Sequence, residues 1–217
     1  MDYKWDILCE QGLQFFGKMS ASISHEMKNV LAVINENAGL LQDFIYMHER
    51  GMPIDPEQLK GLSQMIKKQV QRADTIMKNM NKFAHSTDQL IKTESVNDIL
   101  DIVTKLAIRF ANMREVTLEK IPSDEPIKIE TNPFLLENLI WLCIDFAMDS
   151  VGPERTVRMF AKKIDNSAQI TFSQLNCMPA MPIETFPDKR IEALLSTLHG
   201  NITVDTQAGT ITISLPV

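Results

Sequence analysis

Two apolar stripes with a helical period constrain the first 87 residues more than anything else in the chain. Apolar residues fall at Phe16, Met19, Ile23, Val30, Val33, Leu40, Phe44 and Met47, a 3-4 alternation broken only by Glu26 and Asn37. Such a line is continuous only on a helix, so one is predicted from about Leu13 to about Glu49, roughly 55 Å long at 1.5 Å per residue. Gly51, Met52 and Pro53 end it. Asp55, Pro56, Glu57 and Gln58 restart the chain with an N-cap, a proline at the first helical position and a glutamine at the third. Leu59, Leu62, Ile66, Ala73, Ile76, Met80 and Phe83 then repeat the alternation, and the two segments read as a helical hairpin.

Two helices alone bury too little apolar surface to stand as an independent domain. Met27, Ile34 and Leu41 flank the first stripe, and Val70 and Met77 flank the second. Pairing with a second copy closes a four-helix bundle that covers both, so a homodimer through residues 13–87 is expected.

The first helix carries Ser24, His25, Glu26, Met27, Lys28 and Asn29 in succession. His25 lies one position before the seam break at Glu26, so its imidazole projects from the flank of the seam, with Asn29 one turn further on the same edge. A nucleophile there is reachable. The chain has four histidines, His25, His48, His85 and His199, and a lone helical histidine is ordinarily a surface residue without chemistry. Lys28 reads equally as a solvated charge.

After about Thr87 the period changes. Residues 94–96 read as a short strand, Asn97 as the N-cap of a helix to about Met113, and Val116–Ile121 and Ile127–Ile129 as strands. Asn132 and Pro133 start a helix through Ser150. Thr156–Ile164 and Ala168–Ser173 form a strand pair turning at Asp165 and Asn166. A loop rich in proline and methionine, Gln174–Pro187, leads to a helix from Asp188 to about His199. Ile202–Thr206 and Thr210–Leu215 close the chain as a hairpin. The order predicts an α+β sandwich with helices on one face of a mixed sheet.

The segment from Ser24 to Asn29, followed by Val30 and Leu31, resembles the phosphoacceptor box of sensor histidine kinases, with Val30 standing where the family has proline. The order of the later elements, with Leu198–Pro216 at the end, resembles the GHKL (Bergerat) ATP-binding domain that follows the phosphoacceptor hairpin in that family. The resemblance implies a helical dimerisation and histidine-phosphotransfer domain over residues 1–90 and an ATPase-like domain over 91–217. It makes His25 the phosphoryl acceptor, Glu26 its base and Asn29 the residue that positions a water. A carboxylate next to an imidazole fits that assignment, because one ring nitrogen attacks phosphorus well only if the other can give up its proton.

The ATP site departs from the family in three ways. The position matching the metal-binding asparagine is Phe146, which has no oxygen for a hard cation, and the family's other asparagine falls on Leu142. The Asp-x-Gly-x-Gly turn expected after Ser173 is missing. No glycine occurs between Gly152 and Gly200, where the family needs glycine for close backbone approach to phosphates. The expectation is a chain that binds no ATP, no other cofactor and no metal.

Composition narrows the setting. A formal net charge of -6 without a Lys/Arg cluster argues against nucleic acid. Lys60, Lys67, Lys68 and Arg72 read as a solvated face. Cys9, Cys143 and Cys177 have no metal-ligand spacing and suit a reducing, cytoplasmic location. No run approaches the roughly 20 apolar residues of a membrane span, and the first residues lack signal-peptide character, so input from another protein is expected. The 13 methionines read mostly as core filling, with Met178 and Met181 near Phe186 as a candidate protein-binding surface. The reading that fits both a present nucleophile and a lost ATP site is a dimeric phosphotransfer protein exchanging phosphoryl groups with aspartates of response-regulator receiver domains. A phosphatase using Asn29, a non-catalytic dimeric scaffold and a divergent active kinase are the alternatives.

Overall fold

The structure, a computed structural model, describes residues 3–123, 125–177 and 186–217. The expected surface at Met178 and Met181 lies outside the described residues. The fold is α+β. Helix α1 spans Tyr3–Glu49 and α2 spans Pro56–Ala84. Then come β1 (Lys92–Ser95), α3 (Val96–Met113), β2 (Thr117–Lys120), β3 (Lys128–Thr131) and α4 (Pro133–Asp149). The chain ends with β4 (Thr156–Ile164), β5 (Ser167–Ser173), α5 (Lys189–Thr197), β6 (Asn201–Asp205) and β7 (Thr210–Pro216). No helix among the described residues is long and apolar enough to cross a membrane.

By compactness the chain divides inside its two long helices. One unit is Met19–Asn81, and the other joins the residues up to Lys18 with Lys82–Val217. In the first unit Ile23 and Val30 of α1 and Leu62 and Ile76 of α2 are buried. Asn37 is buried on the same line and its side-chain amide donates to the Val33 carbonyl at 2.7 Å. Of the expected stripe, Met19, Ile23, Val30 and Asn37 are thus buried and Val33 is half-buried. Further along it Leu40 and Met47 are exposed on the single hairpin. Leu31 and Val70 are more than half exposed, and Leu41, Met65 and Met77 are exposed too.

The larger unit is organised on a five-stranded sheet of order β2-β4-β5-β7-β6, in which β2 runs parallel to β4 and the other neighbours are antiparallel. Strands β4, β5 and β7 alternate in burial, so Met159, Ile170, Phe172, Ile211 and Ile213 form one covered face. Helices α3 and α4 supply the matching apolar residues, among them Leu100, Val103, Leu139, Ile140 and Ile144. A separate antiparallel pair, β1 with β3, sits outside that sheet.

Local chemistry sets the helix ends. Asn132 caps α4 by accepting from the Leu135 amide at 2.9 Å, with Pro133 at the first position. Asp188 caps α5 through the Arg190 and Ile191 amides. Two expectations need correction. The cap of α3 is Ser95, not Asn97, since its hydroxyl accepts from the Asp98 amide and Val96 is already a buried first-turn residue. The expected lead-in before Leu13 is helical from Tyr3, because Leu8 and Phe15 prolong a buried line in the larger unit. Phe16, placed on the seam by its spacing, is partly exposed and stacks on Phe83.

A buried carboxyl gives this unit a pH-dependent stability. Burial pushes Glu137 of α4 up from 4.5 to about 8, against the opposing pull of Ser86 and Lys82, while Glu94 adds to the rise. Between those values the folded state holds a proton that the unfolded chain has lost, so stability falls as pH rises through that window. Glu137→Gln cannot ionise and should flatten the slope. Chemical denaturation is expected to show the variant more stable than wild type at pH 8.5, by about 1 kcal/mol or more given about 1.4 kcal/mol per pH unit, and close to it at pH 5.

Candidate functional site

The residues from Ser24 to Asn29 lie in the interior of α1, with helix on both sides, so backbone bonds on both sides hold them. Ile23 and Val30 are buried, Ser24 and His25 are exposed, and Lys28 and Asn29 are exposed. The burial of 23 and 30 fixes the rotation of the helix, and that rotation turns His25 and Asn29 outward, four residues apart on one edge. Val30 is fully buried inside an unbroken helix. A proline there would delete a helix hydrogen bond and kink the rod.

Glu26 takes a different direction from His25. Its carboxylate lies 3.9 Å from the guanidinium of Arg72 on α2 and its side chain is 22% exposed. Adjacent residues on a helix point about 100° apart, so Glu26 turned to α2 and His25 turned to solvent follow from one geometry. Arg72 is the residue that sequence reasoning missed: its spacing marks a solvated face, and nothing in one chain segment gives its register against the other helix.

The ATPase-like half presents a contrasting picture at the positions where the resemblance puts nucleotide ligands. Leu142, Asp145, Phe146 and Asp149 form the less buried stripe of α4, opposite the face that packs on the sheet. The Phe146 ring is stacked on Phe186, with centroids 3.9 Å apart and planes at 20°. The two carboxylates of the stripe are engaged by Arg114 of α3, Asp145 at 2.9 Å and Asp149 at 3.4 Å. Lys18 also approaches Asp145, at 3.7 Å, and lies over the Trp141 and Phe110 rings. These residues do not fit a magnesium nucleotide: where a carbonyl oxygen is needed there is an aromatic stack, and the nearby carboxylates already balance a guanidinium. Cys143, fully buried in the same helix with its thiol pushed up by burial, is no nucleophile.

No protein-family model matches the chain, and no curated protein matches it. Solved structures do. The histidine kinase AdeS of Acinetobacter baumannii superposes with a TM-score of 0.50 at 12% identity, over 88% of this chain and 97% of that one. The fold is that of a histidine kinase. The catalytic domain of the histidine kinase ThkA covers 59% of this chain and 97% of its own, at 10% identity and a TM-score of 0.47. The mycobacterial sensor histidine kinase MprB covers 58% and 96%, at 17% identity and a TM-score of 0.44. The AdeS match spans both the helical hairpin and the ATPase-like sandwich, so the expected architecture holds for the chain as a whole.

The Glu26–Arg72 pair is half-solvated, and such pairs contribute about 0.2–1 kcal/mol. Arg72→Gln is expected to lower unfolding free energy by no more than that, and a double-mutant cycle with Glu26→Gln in urea denaturation should return a coupling energy within the same range.

Proposed function

We propose that this chain is a dimeric histidine phosphotransfer protein that exchanges phosphoryl groups with aspartates of response-regulator receiver domains and does not bind ATP. The observation that carries the reading is the contrast within one histidine kinase fold. The histidine of a phosphoacceptor-like box is solvent-facing on an ordered helix, whereas the place of the metal-binding asparagine is taken by Phe146 stacked on Phe186. In the reaction a ring nitrogen of His25 attacks the phosphorus of a phospho-aspartate. The phosphorus–oxygen bond to the aspartyl carboxylate breaks, that carboxylate leaves, and the proton of the other ring nitrogen passes to a base. Glu26 serves as that base after swinging from Arg72, and Asn29 lies on the receiver side of the helix.

The direction of Glu26 also supports a second reading. With its carboxylate held toward Arg72 and Asn29 exposed one turn from His25, the same edge suits a phosphatase in which the Asn29 amide positions a water against the receiver's phosphoryl group. Substitution separates the two. Transfer needs a phosphoramidate, so His25→Gln is expected to abolish passage of label from a phosphorylated receiver to this protein, and Glu26→Gln to slow it. Labelled ATP is expected to leave the chain unlabelled. Receiver dephosphorylation that survives His25→Gln but is lost in Asn29→Ala would assign the phosphatase activity instead.

The exposed apolar residues of the hairpin, Leu31, Leu41, Val70 and Met77, support closure by a second copy into a four-helix bundle. Light scattering is expected to give a dimer. Val33→Asp should dissociate or unfold it, because an unpaired charge buried in an apolar seam costs several kcal/mol. A concentration-independent monomer would remove this part of the proposal.

A further inference from the structure

A small pocket of about 80 Å³ opens in the larger unit. Its wall is drawn from three elements: Gln14 and Lys18 of α1, Asn138, Trp141 and Asp145 of α4, and Arg190 in the first turn of α5. Asn138 is 1% exposed, and the buried nitrogen of its amide has no hydrogen-bond partner among the described residues. A buried donor left unpaired is costly, which makes the pocket a place where an acceptor is needed.

The surrounding groups favour an anionic acceptor. Lys18 and Arg190 bring two cations to the wall, and Gln14 adds a further amide. Asp145 is the one carboxylate in it; Arg114 pairs with it at 2.9 Å from outside the lining and Lys18 at 3.7 Å, while its buried Oδ1 accepts no hydrogen bond among the described residues. Asp188 binds the Arg190 guanidinium at 2.5 Å through a single carboxylate oxygen, which leaves the fork with further donors. The volume admits a handful of heavy atoms. A nucleotide is far too large, whereas a tetrahedral oxyanion fits.

We propose that this pocket binds a small tetrahedral oxyanion of the phosphate and sulfate class through Asn138, Lys18 and Arg190. The bound ion ties α1, α4 and α5 together, so its binding stabilises the larger unit by linkage. The site shares no residue with the His25 edge and stands or falls independently of the phosphotransfer reading.

The test uses the full chain with Trp5→Phe, which leaves Trp141, a wall residue, as the single tryptophan of the two in the sequence. Inorganic phosphate is titrated against chloride at constant ionic strength while Trp141 fluorescence and the thermal midpoint are followed. A saturable fluorescence change, a rise in midpoint and competition by sulfate are the expected results. Arg190→Gln, a substitution at a half-exposed side chain, should weaken the affinity at least tenfold, as should Asn138→Leu. His25→Gln should leave the titration unchanged. A response that never saturates, that chloride reproduces, or that Arg190→Gln leaves intact would overturn the proposal and assign the pocket to water alone.

Discussion

Phe83 packs edge-on against Phe15 with centroids 5.4 Å apart, lies parallel to Phe16 at 5.4 Å and sits beside Phe134 at 6.2 Å. Through these rings the start of α1, the end of α2 and the start of α4 share one core, and Phe83 is almost wholly buried there. Aromatic burial of this kind is worth about 3–5 kcal/mol per ring when removed to alanine. It explains why the ends of the hairpin belong by compactness to the ATPase-like half and not to the rest of the two helices. A hairpin that ended at a free linker would leave these four phenylalanines in water.

The placement of side chains on the hairpin depends on helix rotation. Burial of Ile23 and Val30 leaves His25 and Asn29 outward and directs Glu26 toward Arg72. One helix thus presents an imidazole and an amide on the same edge while the Glu26 carboxylate between them turns toward α2. The half-buried ion pair is weak enough to be exchanged at little cost, so the direction of Glu26 is adjustable in a way that the placement of His25 is not.

The other half keeps the sheet and helices of a histidine kinase catalytic domain with different side chains on the outer stripe of α4. There Phe146 stacks on Phe186, and Asp145 and Asp149 pair with Arg114, contacts internal to the protein. Such contacts stabilise the domain from within, without reference to any ligand. The buried polar residues Glu137 and Asn138 stand apart from this trend: both are buried in α4, where ionisation and an unmet amide donor have consequences of their own.

The sequence by itself determined the hairpin, the α+β order that follows it and the outward edge bearing His25 and Asn29, because period and capping are local and each is written within a few turns of chain. Asn132, Pro133 and Asp188 act on their own neighbours, and the structure starts both helices at the places expected from the sequence. The errors were also local. Ser95 and Asn97 are both capable caps, and only the pairing of β1 with β3 and the burial of Val96 chose between them. What the tertiary structure alone decided is every relation between distant segments: Arg72 against Glu26, Phe83 against Phe15 and Phe134, Arg114 against the α4 carboxylates, and the meeting of Lys18, Asn138 and Arg190 around one pocket. No periodicity encodes these, since they arise from the register and packing of elements tens of residues apart, and that is why the outward placement of His25 was legible in the sequence while its surroundings were not.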